Sequence, residues 1–172
     1  MSAPDKLLIR YAQDDDRFGL MGQYGSGNQF LAFGTGAYPS DWWSGSRSPE
    51  YLRNHWAEHK RWYAVLHRFD STGNHQGPEA HCGGTTAQGE ADAWKQVSHD
   101  LENLVASLGG HRLGDIEVKL FGIELDGYFF GLVYSCENPE GLDDPEATHE
   151  YVMLEPNDIM FHPPWDSGEY ST

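Results

Sequence analysis

Cysteine is scarce in this chain. Its 172 residues contain only two, Cys82 and Cys136. Two isolated thiols cannot form the disulfide framework of a small secreted scaffold, so the fold must be held by burial. The expectation is a pair of buried free thiols, since a bridge would need an oxidising compartment and matching geometry. Long apolar runs are missing as well. No stretch approaches the roughly 18 residues of a membrane-spanning helix. The amino-terminal Met-Ser-Ala-Pro-Asp-Lys has neither the charged nor the apolar region of a signal peptide, which makes the cytoplasm the default compartment. The third absence is positive charge in one part of the chain. After Lys119 there is no lysine or arginine, and the last 53 residues carry twelve acids, which account for -12 of the net -16. A chain this acidic repels phosphate backbones and anionic lipid heads, so neither direct nucleic-acid binding nor membrane binding is expected.

What is present suits a folded domain. Hydrophobic residues make up 38% and aromatics 13%, and disordered chains are poor in aromatics. The length fits one domain and can bury roughly 70% of the unfolded surface.

Strand patterns dominate the chain. Leu7, Leu8, Ile9 and Tyr11 mark a short strand over 6–12. Phe18, Leu20 and Tyr24 precede Gly25-Ser26-Gly27-Asn28, whose glycines and asparagine tolerate positive φ, and an apolar run resumes over 30–38. That is a hairpin pattern. Residues 39–48 resemble a loop. Ser48-Pro49-Glu50 then offers a cap, a first-turn proline and an acid at the positive end of a short helix with Tyr51, Leu52 and Trp56 on one side. Apolar groups fall on both faces of 62–69, placing that strand centrally in a sheet. A turn over 70–74 leads to a strand near 77–83. The best helix spans about 89–108, where Trp94, Val97, Leu101, Leu104, Val105 and Leu108 recur at helical spacing and Gly109-Gly110 provides a stop. Alternation over 115–125 shifts phase by one residue, which predicts a bulge. Asp126-Gly127 predicts a two-residue hairpin turn into a strand over 128–134. An acidic loop over 137–148 and short strands at 150–154 and 159–161 follow. Strands, one long helix and more strands make an α+β domain, with a mostly antiparallel sheet and the helix on one face.

The sharpest chemical pattern is His55-Trp56-Ala57-Glu58-His59. Histidines four apart share a helix face and can hold zinc, and the glutamate between them can activate water. A working site also needs a third ligand from another element, and Arg53, Lys60 and Arg61 crowd this one. No P-loop and no G-x-S-x-G elbow occurs, and Gly25-Ser26-Gly27 is followed by a strand rather than a helix. No cofactor is expected. Trp42, Trp43 and Trp165 lie in loop-like stretches, where tryptophans either fold back on the core or stay exposed as interface anchors. Trp62 and Trp94 suit the core.

Several stretches resemble a known family. These are Lys60-Arg61-Trp62-Tyr63-Ala64-Val65-Leu66-His67-Arg68-Phe69-Asp70 with Gly73-Asn74-His75; Gly114-Asp115-Ile116; Asp126-Gly127 with Phe130-Gly131-Leu132-Val133; and Pro156-Asn157-Asp158, Pro164-Trp165-Asp166 and Tyr170. From about residue 29 onward the chain resembles a bacterial family of small proteins labelled formate hydrogenlyase regulatory protein. The resemblance implies a regulatory protein that works by binding, and it assigns no active-site residues.

Together these features favour a noncatalytic acidic binding protein, a regulator or an immunity-type inhibitor of a basic protein partner. Its contact surface would draw on Trp42, Trp43, Asp143, Asp144, Glu146, Glu150 and Trp165. The alternative is a small metal-dependent hydrolase built on His55, Glu58 and His59.

Overall fold

The computed structural model describes residues 2–13, 19–137 and 149–166. The order of elements is β1 (Leu7–Ile9), β2 (Leu20–Tyr24), β3 (Asn28–Ala37), α1 (Pro49–His59), β4 (Arg61–Phe69), β5 (His75–Thr85), α2 (Thr86–Ala106), β6 (His111–Leu113), β7 (Ile116–Val118), β8 (Phe121–Leu125), β9 (Tyr128–Glu137), β10 (His149–Glu155) and β11 (Ile159–Phe161). The fold is α+β. Every strand pairing is antiparallel, and the strands form three sheets ordered β5-β4-β3-β2-β6, β11-β10-β9-β8 and β1-β7.

The central pair β3-β4 explains the layering. Side chains alternate across a strand, so each of these strands serves two faces. Phe30, Ala32, Ala64 and Leu66 point to one face and meet Val97, Leu104 and Val105 of α2. Leu31, Phe33, Tyr63, Val65 and Phe69 point to the other and meet β1, β7, β9, β10 and β11. The pairing runs unbroken from Gln29–Phe69 to Ala37–Arg61, which keeps the two faces in phase. Each fully buried aliphatic side chain of α2 contributes roughly 1.5–3 kcal/mol.

Helix α2 lies close to the sheet because glycines lie beneath it. A Cβ at Gly83 would sit 2.6 Å from the Ala93 carbonyl oxygen, and one at Gly34 would sit 3.0 Å from Trp94 and Val97 side-chain carbons. The helix begins earlier than its apolar spacing suggested. Thr85 caps it by accepting from the Gln88 amide while Gln88 returns a side-chain bond, and Gly89 (φ 122°) then interrupts the first turn. Gly109 follows the last turn at φ 73°.

Several sequence expectations are corrected. The phase shift over 115–125 is a change of sheet and not a bulge: β7 pairs with β1, whereas β8 pairs with β9. The short edge strand β6, which pairs with β2, gave no apolar pattern. Both cysteines are free but exposed, because Cys82 lies on edge strand β5 and Cys136 lies near the end of β9, past the core. Trp94 is 45% exposed, so it is not a core residue. The expected hairpin turn is present, with Asp126 at φ 50° and Gly127 at φ 82°. Phe18 lies outside the described residues.

The inter-sheet core contains one polar defect. His67 is fully buried, its Nδ1 sits 3.0 Å from His75 Nε2, and its own Nε2 has no partner. His75 stacks on Phe121 at 3.9 Å. Burial, with His75 adding repulsion, pushes His67 down to about 3; burial pushes His75 down to about 4. In the unfolded chain both rings take a proton near 6.5. The unfolded state therefore binds more protons below that pH, and native stability is full above it and lost as pH falls toward 4. Each histidine contributes a slope of about 1.4 kcal/mol per pH unit. Denaturant midpoints measured from pH 7.5 to pH 4.5 should fall with acid, and His67→Leu should flatten the decline. Parallel profiles for the two proteins would refute this.

Candidate functional site

The loop between β3 and α1 is organised around one buried ring. Trp42 is 1% exposed. It stacks on Tyr38 at 5.5 Å, meets His59 at 5.0 Å and Tyr51 at 6.5 Å, and carries the Arg47 guanidinium at 5.2 Å. Arg47 also bonds Asp41 at 3.0 Å, which closes the loop. Trp42 is therefore unavailable as a surface anchor, because its ring is the loop's own core. Its neighbour Trp43 has the opposite fate, at 75% exposed.

The same loop is tied to the β8-β9 hairpin. The Ser40 amide donates to the Gly127 carbonyl at 2.7 Å, and the Ser40 hydroxyl donates to the same oxygen at 3.0 Å. This attachment opens a cleft of about 570 Å³ between the loop and the outer face of the four-stranded sheet. One wall carries Tyr38, Trp43 and Lys60; the other carries Phe129, Val133 and Glu155, with Asp158 at the β10-β11 turn. Strand alternation explains the second wall. Tyr128, Phe130 and Leu132 point inward, so Phe129 and Val133 face out, and Glu155 is outward beside the inward Leu154.

Charge in the cleft is arranged by side. Burial raises Glu155 above the usual carboxylate range, and the nearby Asp158 charge adds to this. The Lys60 ammonium lies 5.8 Å from the Tyr38 ring and 4.7 Å from the Trp62 ring. Burial raises the Tyr38 phenol. Strands β8 to β11 all fall in the stretch without lysine or arginine, so the acidic bias of the sequence becomes the bias of one sheet.

The remaining sequence candidates are dispersed. Glu150 accepts from the Tyr134 hydroxyl at 2.6 Å, and that bond raises the phenol's pKa. Trp165 is half-buried against the inter-sheet core, and its carbonyl accepts from the Leu8 amide at 3.2 Å. Asp143, Asp144 and Glu146 lie outside the described residues, as do Glu140 and Tyr170. Ser48 caps α1 by accepting from the Tyr51 amide, as its sequence predicts, yet α1 fully buries no residue. On that helix His55 Nδ1 pairs with Glu58 at 3.1 Å, while His59 Nε2 meets the Tyr51 hydroxyl at 3.0 Å. The two imidazoles thus have different partners. Among the described residues no group of three histidine, cysteine or acidic side chains is placed to hold a metal ion.

The cleft residues Tyr38, Lys60, Phe129, Val133, Glu155 and Asp158 were not among the contact residues expected from the sequence. Outward-phase apolar residues on β9 were the available clue for two of them. The others come from distant parts of the chain, which tertiary contacts such as the Ser40–Gly127 attachment bring together.

The adjacent tryptophans should separate cleanly in stability measurements. Trp42→Ala should cost about 3–5 kcal/mol, as for other buried large-to-small changes. Trp43→Ala should stay within about 0.5 kcal/mol. Equal losses in urea unfolding would contradict the buried-hub description.

Comparison with family models, with curated proteins and with solved structures found no match for this chain.

Proposed function

We propose that the protein is a noncatalytic acidic binding protein that docks a basic protein partner in the cleft beside Trp43. It acts in the cytoplasm as a regulator or as an immunity-type inhibitor. The regulatory assignment also rests on the resemblance to the family labelled formate hydrogenlyase regulatory protein. The observation that carries the reading is the pairing of a bare indole with a one-signed wall. Trp43 is 75% exposed at the rim of a cleft whose other wall comes from a sheet without lysine or arginine.

Exposed aromatics beside pockets are favoured anchors, because burying the ring on binding supplies most of the affinity. The anionic field brings a cationic partner in quickly and disfavours acidic competitors. A basic side chain entering the cleft would also relieve the repulsion between Glu155 and Asp158. Nucleic acid is disfavoured by the same field. Among the described residues no helix is long and apolar enough to cross a membrane.

A photo-crosslinking residue at position 43, compared with one at the exposed Glu102, tests the proposal in cells. The expected result is a crosslinked protein of net positive charge that is captured at position 43 and not at 102. Its affinity for the purified chain should fall at least tenfold with Trp43→Ala, about the loss of a minor hot spot. Equal capture at both positions, or a captured protein that is acidic and insensitive to Trp43→Ala, would overturn it.

A further inference from the structure

A second aromatic site lies on the face of the five-stranded sheet that α2 covers. Trp62 on β4 and Trp94 on α2 meet edge to face, with ring centres 5.5 Å apart and planes at 84°. Together with Glu90 they line a separate hollow of about 270 Å³. Glu90 and Trp94 are four residues apart on α2, beyond the Gly89 break, so both project from one helix face. We propose that Trp62, Trp94 and Glu90 form a receptor for a quaternary or fully methylated ammonium group.

Three observations carry the assignment. First, the corner is built in advance. The Trp62 indole N–H donates to the Thr86 hydroxyl at 2.9 Å, which fixes the ring. Trp94 is set over Gly34, where an added Cβ would meet its ring at 3.0 Å. Second, the exposure of Trp94 has no structural purpose in the core. At 45% it leaves indole surface open in a hollow that Glu90 also lines. Third, the chain itself shows that the Trp62 ring accepts an ammonium. Lys60 places its Nζ 4.7 Å from the Trp62 ring centre, yet it is not among the residues lining the hollow.

Chemistry selects the kind of cation. A primary ammonium has three N–H donors and is strongly hydrated, and this hollow offers one carboxylate to replace that water. The Trp62 N–H is already committed to Thr86. A quaternary ammonium has no donors to satisfy and is weakly hydrated, and it gains from the exposed Trp94 indole, the perpendicular Trp62 ring and one anion. The net charge of -16 raises its local concentration further. This site is distinct from the cleft beside Trp43 and does not depend on the partner reading.

The test is a titration of the full chain with choline chloride at constant ionic strength, followed by nuclear magnetic resonance of the tryptophan indole N–H signals. The control ligand is 3,3-dimethyl-1-butanol, which has the shape of choline without its charge. Saturable millimolar shifts of the Trp62 and Trp94 signals are expected, with the neutral alcohol about tenfold weaker. Glu90→Gln should weaken choline several-fold and leave the unfolding midpoint unchanged. Trp94→Ala should abolish the response, and Trp43→Ala should leave it intact. The proposal is overturned by shifts that do not saturate, by equal binding of the neutral alcohol, or by indifference to Glu90→Gln. Loss of the response with Trp43→Ala alone would also overturn it, by placing the ligand in the other cleft.

Discussion

The whole structure depends on strands β3 and β4 being buried on both faces. Nine consecutive residue pairs lock them together, and alternate side chains along each strand feed two separate cores. A slip of one residue would send Phe30 and Leu66 toward the second sheet and Leu31 and Val65 toward the helix, spoiling both cores at once. That double constraint fixes where β3 ends and β4 begins. It thereby fixes the positions of the loop and of α1, which lie between them.

The candidate cleft lies at the margin of this frame. The loop after β3 turns on Trp42, and Ser40 attaches it to the β8-β9 hairpin, so two distant parts of the chain form one cleft. Gln29 performs a similar task at the other end of β3. Its side-chain carbonyl accepts from the Glu117 amide at 2.7 Å, and its amide nitrogen donates to the Glu117 carbonyl at 2.9 Å. One side chain thus joins the five-stranded sheet to β7. Arg47 and Lys60 lie over aromatic rings on either side of α1, while the four-stranded sheet is free of lysine and arginine. In the cleft, Lys60 on one wall faces a wall from that sheet that carries Glu155.

Much of the fold was legible in the sequence, for local reasons. Two-faced apolar content marked β4 as central, Ser48-Pro49 marked the start of α1, and Asp126-Gly127 marked a hairpin that the backbone confirms with two positive φ values. What escaped was nonlocal. The phase shift after Val118 looks identical whether a strand bulges or the chain changes sheets, and only pairing decides between them. The site was less legible than the fold. Trp42 and Trp43 share a local sequence and differ in exposure because the Tyr38–Tyr51–His59 aromatic shell closes on one ring. Trp94 fits the helical stripe by spacing, but α2 rests closest on glycines and leaves part of that indole uncovered.

In the proposed complex, one-signed charge guides a partner to the cleft and aromatic burial then holds it. The direct measurement is stopped-flow association with the partner over a range of salt concentrations. The association rate should fall steeply as ionic strength rises while the dissociation rate hardly changes. An association rate indifferent to salt, with affinity set wholly by dissociation, would contradict it.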